Sequence, residues 1–203
     1  MPDQIAFAAE ILSRDEQRTI ARILKVNHAG EYGAIRIYRA QLWGARRFIP
    51  EVANFLEETL THEISHCSQF LAAMPERNAR PCAAMPLWGV GGTVLGLITV
   101  LMGANAVMAC TKAVEQTVHR HLDEQLQFLR KRDEPLRAMI AAIQIEEEQH
   151  LDHARAHLRP DVLSRIIEAV VDISTEIVIW LSTQGAVSRM VASLRAAQKS
   201  EDA

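Results

Sequence analysis

Ile143-Gln144-Ile145-Glu146-Glu147-Glu148-Gln149-His150-Leu151-Asp152-His153-Ala154 carries the pattern that decides the fold. With Leu136 and Ile140 upstream, Ile143, Glu147, His150 and Ala154 continue a series of alternating steps of four and three. That spacing places all six residues on one stripe of an α-helix, the stripe that faces a core. Two of the six, Glu147 and His150, are not ordinary core residues. They form a Glu-x-x-His unit, whose i, i+3 spacing brings a carboxylate and an imidazole about one turn apart on the same face.

Three further stripes lie outward from this one. They are Leu24, His28, Glu31, Ile35, Tyr38 and Leu42; then Val52, Leu56, Thr59, Glu63, His66 and Phe70; then Leu101, Met108, Thr111, Glu115, Val118, Leu122 and Leu129. Each contains a glutamate, and Glu63-Ile64-Ser65-His66 is a second Glu-x-x-His. Glu31 precedes Glu63 by 32 residues, and Glu115 precedes Glu147 by 32. With 17 Glu and 8 His in the chain, chance alone gives about 0.7 Glu-x-x-His pairs. The weight therefore rests on the equal spacing from each pair to a solitary glutamate on another apolar stripe.

Prolines and small polar clusters divide the chain into five helical stretches. They run from about Asp15 to Arg47, Glu51 to Ala73, Leu87 to Arg130, Asp133 to Leu158, and Pro160 to Ala197, with a proline-rich loop from Pro75 to Pro86. No segment alternates with period two between turn signals, so no strand is expected. The 203 residues, 49% of them apolar, suit one domain over 1–203, with a core from about 15 to 182 and a C-terminal extension over 183–203. A net charge of −3 without a basic tract gives no reason to expect nucleic acid. Three cysteines without CxxC spacing fit a reducing compartment. The first ten residues carry no basic n-region, so neither a signal nor a transit peptide is expected.

Four carboxylates on core-facing stripes need compensation, because an unpaired ionised carboxylate in an apolar interior costs more than the burial of one side chain returns. Lys and Arg are missing from those stripes. Two divalent cations would balance four carboxylates. Helical proteins achieve this with one Glu from each of two helices and a Glu-x-x-His from each of two others, all pointing inward. The expectation is an all-α, ferritin-like four-helix bundle with an additional C-terminal helix. Glu31, Glu63, His66, Glu115, Glu147 and His150 are its candidate metal ligands. Oxygen-rich ligation with one His per ion favours iron or manganese over zinc. Asp152, His153 and His28 are candidates for fixing the ligand histidines from behind, or else ordinary polar residues of helix surfaces; Cys67 reads as a small packing residue.

His62-Glu63-Ile64-Ser65-His66 also spells H-E-x-x-H, the zinc-protease signature. Gln69 to Ala73 supplies neither the Gly nor the third His of the extended pattern. That reading also leaves Glu31, Glu115, Glu147 and His150 unexplained.

The segment Arg22-Ile23-Leu24-Lys25-Val26-Asn27-His28-Ala29-Gly30-Glu31-Tyr32-Gly33-Ala34 resembles the opening signature of demethoxyubiquinone hydroxylases, with Asn27 where the family usually has Asp. Met108 to Glu115 with His119-Arg120-His121, and Ile145 to His153, are similar to the family's third- and fourth-helix motifs. The resemblance runs from about Arg22 to Ser182. It implies hydroxylation of a polyprenylated benzoquinol ring in ubiquinone synthesis, with O2 activated at two iron ions (Fe2+/Fe3+) and electrons drawn ultimately from a reduced nicotinamide. It also implies that Glu31, Glu63 and His66 hold one iron and Glu115, Glu147 and His150 the other, with Glu63 and Glu147 as bridges. His121 corresponds to a family histidine near the site, and Leu122 replaces the Tyr that often follows. Arg22 is a possible nicotinamide contact, or an arginine solvating its helix. Other ubiquinone-synthesis proteins are possible partners.

Residues 81–111 carry no charge, and Leu87 to Cys110 is strongly apolar. Its length alone would permit a membrane span. Gly89, Gly91, Gly92, Gly96, Gly103 and Asn105 favour instead a helix lying partly in the core and partly on a membrane surface, as a peripheral protein of the cytoplasmic face. Val162, Ile166, Val170, Ile173, Ile177 and Trp180 either extend that surface or pack on the bundle. Iron storage or detoxification is the alternative function on the same ligands, but it gives no reason for the uncharged stretch. Hydroxylation of a modified RNA base conflicts with the neutral-to-acidic composition.

Overall fold

The computed structural model describes residues 12–182 and 186–201. Helix α1 (Arg14–Phe48) and α2 (Ala53–Ala73) form one antiparallel hairpin; α4 (Ala104–Leu129) and α5 (Glu134–His157) form the other. Between them α3 (Met85–Leu101) lies along α1, and after them α6 (Val162–Ser182) lies along α4. Helix α7 (Ala186–Glu201) packs on α1 and α4, and its Met190 and Leu194 enter the main core beside Ile20, Leu24 and Leu129. The described residues contain no strand. The chain is an all-α, ferritin-like four-helix bundle with added helices.

Local chemistry sets the helix ends. Ser13 and Glu16 make a reciprocal capping box at the start of α1: Glu16 N donates to Ser13 Oγ at 3.2 Å, and Ser13 N to Glu16 Oε2 at 2.9 Å. The Asp133 carboxylate accepts from Leu136 N at 3.0 Å, with Pro135 in the first turn of α5, where its missing N–H is not needed. Asp161 caps α6 by accepting from Ser164 N at 2.6 Å.

Burial follows the two Glu-x-x-His stripes closely. In α2 the buried residues are Leu56, Thr59, Glu63, His66 and Phe70, and in α5 they are Leu136, Ile140, Ile143, Glu147, His150, Leu151 and Ala154. Helix α1 differs. It is buried on several sides, because α2, α3, α4, α6 and α7 all touch it.

Two boundaries depart from the sequence expectation. The stretch from Leu87 to Arg130 is two helices, broken at Gly103, which has φ 98°, a conformation that disfavours any side chain. Both flanks are apolar, so the pattern reads straight across the break. Leu101, assigned to the core stripe, ends α3 instead and is 71% exposed. The stretch from Pro160 to Ala197 is likewise two helices, α6 and α7, whose junction at 183–185 lies outside the described residues.

The glycines of α3 allow close approach to α1. A Cβ on Gly92 would lie 2.7 Å from the Gly33 carbonyl oxygen, and one on Gly96 would strike the Ile37 carbonyl. The opposite face of α3 carries Leu87, Val90, Val94, Ile98 and Leu101, all exposed. Helix α6 is built the same way. Ile167 and Val171 face the core, while Val162, Ile166, Val170, Ile173, Ile177 and Trp180 are exposed. No helix of the described residues is long and apolar enough to cross a membrane.

Candidate metal centre

The four stripes converge midway along the bundle. Glu31 from α1, Glu63 and His66 from α2, Glu115 from α4, and Glu147 and His150 from α5 are all buried. Their side chains fall into two groups, Glu31, Glu63, His66 and Glu147, and Glu63, Glu115, Glu147 and His150. Within each group one candidate ligand atom from every residue lies within 4.8 Å of the others. Glu63 and Glu147 belong to both groups.

Both imidazoles turn Nδ1 inward. His66 Nδ1 lies 2.9 Å from Glu147 Oε1 and 3.7 Å from Glu31 Oε2, and His150 Nδ1 lies 3.4 Å from Glu147 Oε2 and 3.7 Å from Glu63 Oε1. These approaches are not aligned as hydrogen bonds. Glu63 Oε1, both oxygens of Glu147 and the Nδ1 atoms of both histidines are buried without a hydrogen-bond partner. Inward-facing acceptors from four carboxylates and two imidazoles, with no Lys or Arg paired to them among the described residues, are a donor set that fits divalent cations. Two overlapping groups fit two ions.

The protonation of these groups reflects the same crowding. Burial pushes Glu63 and Glu115 well above the usual carboxylate range, and the neighbouring charge of Glu147 pushes the same way. Burial also raises Glu31, against the close approach of His66. Burial would raise Glu147, but the imidazoles of His150 and His66 outweigh it and hold this carboxylate low. Burial would lower His66, yet its contacts with Glu147 and Glu31 push it up to about 10. Metal binding must therefore displace protons.

The outer nitrogens have their own partners. His66 Nε2 lies 2.8 Å from Glu146 Oε2, and His150 Nε2 lies 2.9 Å from His62 Nδ1. The Tyr38 hydroxyl donates to Glu115 Oε1. Sequence reasoning placed Tyr38 on the α1 stripe without a role and read His62 only as part of H-E-x-x-H, but His62 enters neither ligand group. The signal for His62 and Glu146 is their shared offset, each one residue ahead of the Glu of a Glu-x-x-His unit.

None of the expected supporting residues holds the outer nitrogen of a ligand histidine. Asp152 is exposed and faces Arg155, and His153 stacks between Phe55 and His157. His28 is buried with Nδ1 unpartnered, and burial lowers its pKa. His121 stands 3.6 Å from Glu176. It lines a small cavity of about 40 Å3 with Glu31, Glu63, Glu115 and Glu147, and also a larger one of about 670 Å3 with Ile177, Trp180 and Arg195. Arg22 is half-buried near Arg189 and Arg18.

Fold and site together define a di-metal carboxylate oxidoreductase on a ferritin-like bundle. Residues 18–182 match the family model described as ubiquinone biosynthesis protein COQ7, and the chain belongs to that family. The 3-demethoxyubiquinol 3-hydroxylase of Rhodospirillum rubrum is 35% identical over 164 residues, covering 80% of this chain and 77% of its own. The mitochondrial NADPH-dependent 3-demethoxyubiquinone 3-hydroxylase of Mus musculus is 37% identical over 168 residues, covering 78% and 76%. That of Homo sapiens is 34% identical over 179 residues, covering 84% and 80%.

Proposed function

We propose that this protein hydroxylates the ring of a polyprenylated demethoxyubiquinol, with Glu31, Glu63 and His66 holding one iron, Glu115, Glu147 and His150 the other, and Glu63 and Glu147 shared. The observation that carries the reading is the pair of overlapping ligand groups buried in a bundle with no basic residue paired to them. Two irons, when bound, supply the activation of O2 that converts a ring C–H to C–OH, and the second oxygen leaves as water. Two electrons are required, and a reduced nicotinamide is proposed as their source, in keeping with the NADPH dependence in the names of the mammalian relatives. Arg22, with Arg18 and Arg189 nearby, is proposed as its contact.

The chain's own residues orient and exclude. Tyr38 fixes Glu115 through its hydroxyl, and Leu24, Ile140 and Ile143 help keep the core dry. The small cavity suits a molecule of the size of O2, and the larger one, which shares His121, gives a ring room to approach. The exposed apolar faces of α3 and α6 are proposed to rest on the membrane that dissolves the isoprenoid tail.

The test is expression in cells that lack this ring hydroxylation and accumulate the demethoxy precursor. Conversion of that precursor in the lipid extract is expected. Failure to convert it, with iron bound to the purified chain, would overturn the assignment of substrate.

A further inference from the structure

Each imidazole of the site is held at its outer nitrogen by a residue of the facing helix, and the two holders differ in chemistry. Glu146 of α5 sits 2.8 Å from Nε2 of His66 on α2, and His62 of α2 sits 2.9 Å from Nε2 of His150 on α5. Glu146 immediately precedes Glu147, and His62 immediately precedes Glu63, so the two supports are reciprocal in position. With Nδ1 on a metal, each ligand histidine keeps its proton on Nε2 and must donate it outward. His66 then donates to a carboxylate, which makes its ring the more basic and the stronger donor. His150 faces the Nδ1 of His62, an imidazole and not a carboxylate, at its outer nitrogen.

A second, independent observation acts in the same direction. The Tyr38 hydroxyl donates to Glu115 Oε1 and draws charge away from that carboxylate. Among the described residues no hydroxyl reaches Glu31. The group of Glu31 and His66 is thus strengthened at its imidazole, whereas the group of Glu115 and His150 is weakened at its carboxylate.

We infer that the two metal positions are unequal: the position built on Glu31 and His66 binds the more tightly and fills first, with Glu146 and Tyr38 as the positioning residues that set the difference. The inference rests on the ligand set proposed above. Glu146 and His62 are 44% and 29% exposed at their side chains, so replacing either leaves the packed core in place.

The experiment is anaerobic titration of the metal-free full chain with ferrous iron by calorimetry. The wild type should show two classes of site differing at least about tenfold in affinity. Glu146→Gln keeps an acceptor in place but removes its charge, so a purely geometric role would survive it. It should weaken the tighter class by about 10–100-fold and the weaker class much less, because Glu146 Oε2 lies 2.8 Å from His66 Nε2 but 4.0 Å from His62 Nδ1. Tyr38→Phe should change the affinity of the weaker class alone. At one equivalent of manganese, the EPR spectrum should show isolated ions and not interacting pairs.

A single affinity for both equivalents would overturn the inference, as would an E146Q variant that leaves the tighter class unmoved or shifts both classes together. Those results would leave the ligand set standing. Failure of the wild type to take up any iron would overturn both. Should E146Q lose helix content by circular dichroism, Y38F decides the question, and no selective change in the weaker class counts against the inference.

Discussion

Asn27 and Gln125 exchange two hydrogen bonds across the α1–α4 interface: Asn27 Nδ2 donates to Gln125 Oε1 at 2.7 Å, and Gln125 Nε2 donates to Asn27 Oδ1 at 3.0 Å. The residues are 98 positions apart, and both are buried. Two amides are complementary in both directions. The aspartate that the family resemblance would put at position 27 offers only acceptors, so it would leave Gln125 Oε1 without the donor that Asn27 supplies. Asn27→Leu strands the Gln125 amide in the interior and should cost about 1–3 kcal/mol. In a chain of this size that lowers the melting temperature by about 2–4 °C per kcal/mol. The double variant Asn27→Leu, Gln125→Leu should recover most of the loss. If thermal unfolding shows the double variant no more stable than the single one, the pairing is not what the site depends on.

Glu147 belongs to both ligand groups, whereas Glu31 belongs to one. Glu147→Ala should therefore abolish metal at both positions and all turnover. Glu31→Ala should leave one ion per chain, bound by the Glu115 and His150 group. Metal analysis after gel filtration distinguishes the two variants. Two ions retained by Glu147→Ala would refute the ligand assignment.

The protonation pattern gives the pH dependence a definite sign. His66 is raised from about 6.5 to about 10. In the metal-free protein its stabilising contribution is complete below about pH 6.5 and is lost as pH rises toward 10. Glu31, Glu63 and Glu115 are raised too, so each destabilises the fold as pH rises above the unfolded carboxyl value of about 4.3. Glu147, held low, has the opposite sign, but its contribution is lost only in strong acid. His28, lowered by burial, pulls the other way only around the ordinary histidine value, so from pH 7 to 9 the metal-free melting temperature should fall. The rise in melting temperature on adding ferrous iron should grow over the same range, because each displaced proton favours binding at higher pH. A metal-free melting temperature that climbs with pH would contradict this picture of the site.

How much of this was legible in the sequence depended on how many neighbours a helix has. Helices α2 and α5 each bury one face, and their stripes were read residue by residue, from Leu56 to Phe70 and from Leu136 to Ala154. Helix α1 touches five helices, so Ile20, Ile23, Ala29 and Ile37 are buried off the stripe, where a single-faced pattern does not look for them. The break at Gly103 was hidden because both of its flanks are apolar. His62 and Glu146 stand on the polar flank of their helices, where exposure and function leave the same trace in sequence. Periodicity alone does not decide between the two readings of the α6 stripe, exposed surface or packing on the bundle, because it reports one apolar face and not what covers it.

Gly92 and Gly91 are adjacent in α3 yet meet different surroundings. A Cβ on Gly92 would lie 2.7 Å from a backbone carbonyl oxygen of α1, whereas one on Gly91 would meet nothing within 4 Å. Gly92→Ala must push α3 off α1 and should cost about 1–3 kcal/mol. Gly91→Ala should stabilise by up to about 1 kcal/mol through helix propensity alone. Chemical denaturation of the two variants checks the contrast. Equal effects would mean that α3 does not pack against α1 as closely as the carbonyl contact requires.

Val94 and Ile98 occupy the exposed stripe of α3, and Ile173 that of α6. They already face away from the core, so replacing them by Glu should change folding stability by no more than about 0.5 kcal/mol. If the stripe rests on a bilayer, the same changes remove buried apolar area there. Each half-exposed aliphatic side chain then contributes about 1 kcal/mol to the membrane-bound state. Val94→Glu with Ile98→Glu should thus weaken cosedimentation with phospholipid vesicles by at least about tenfold. Ile173→Glu should add to the loss, while metal content stays at the wild-type level. Vesicle binding that survives all three substitutions would mean that the chain meets the membrane through another surface, and the quinone tail would then have to enter elsewhere than beside α3 and α6.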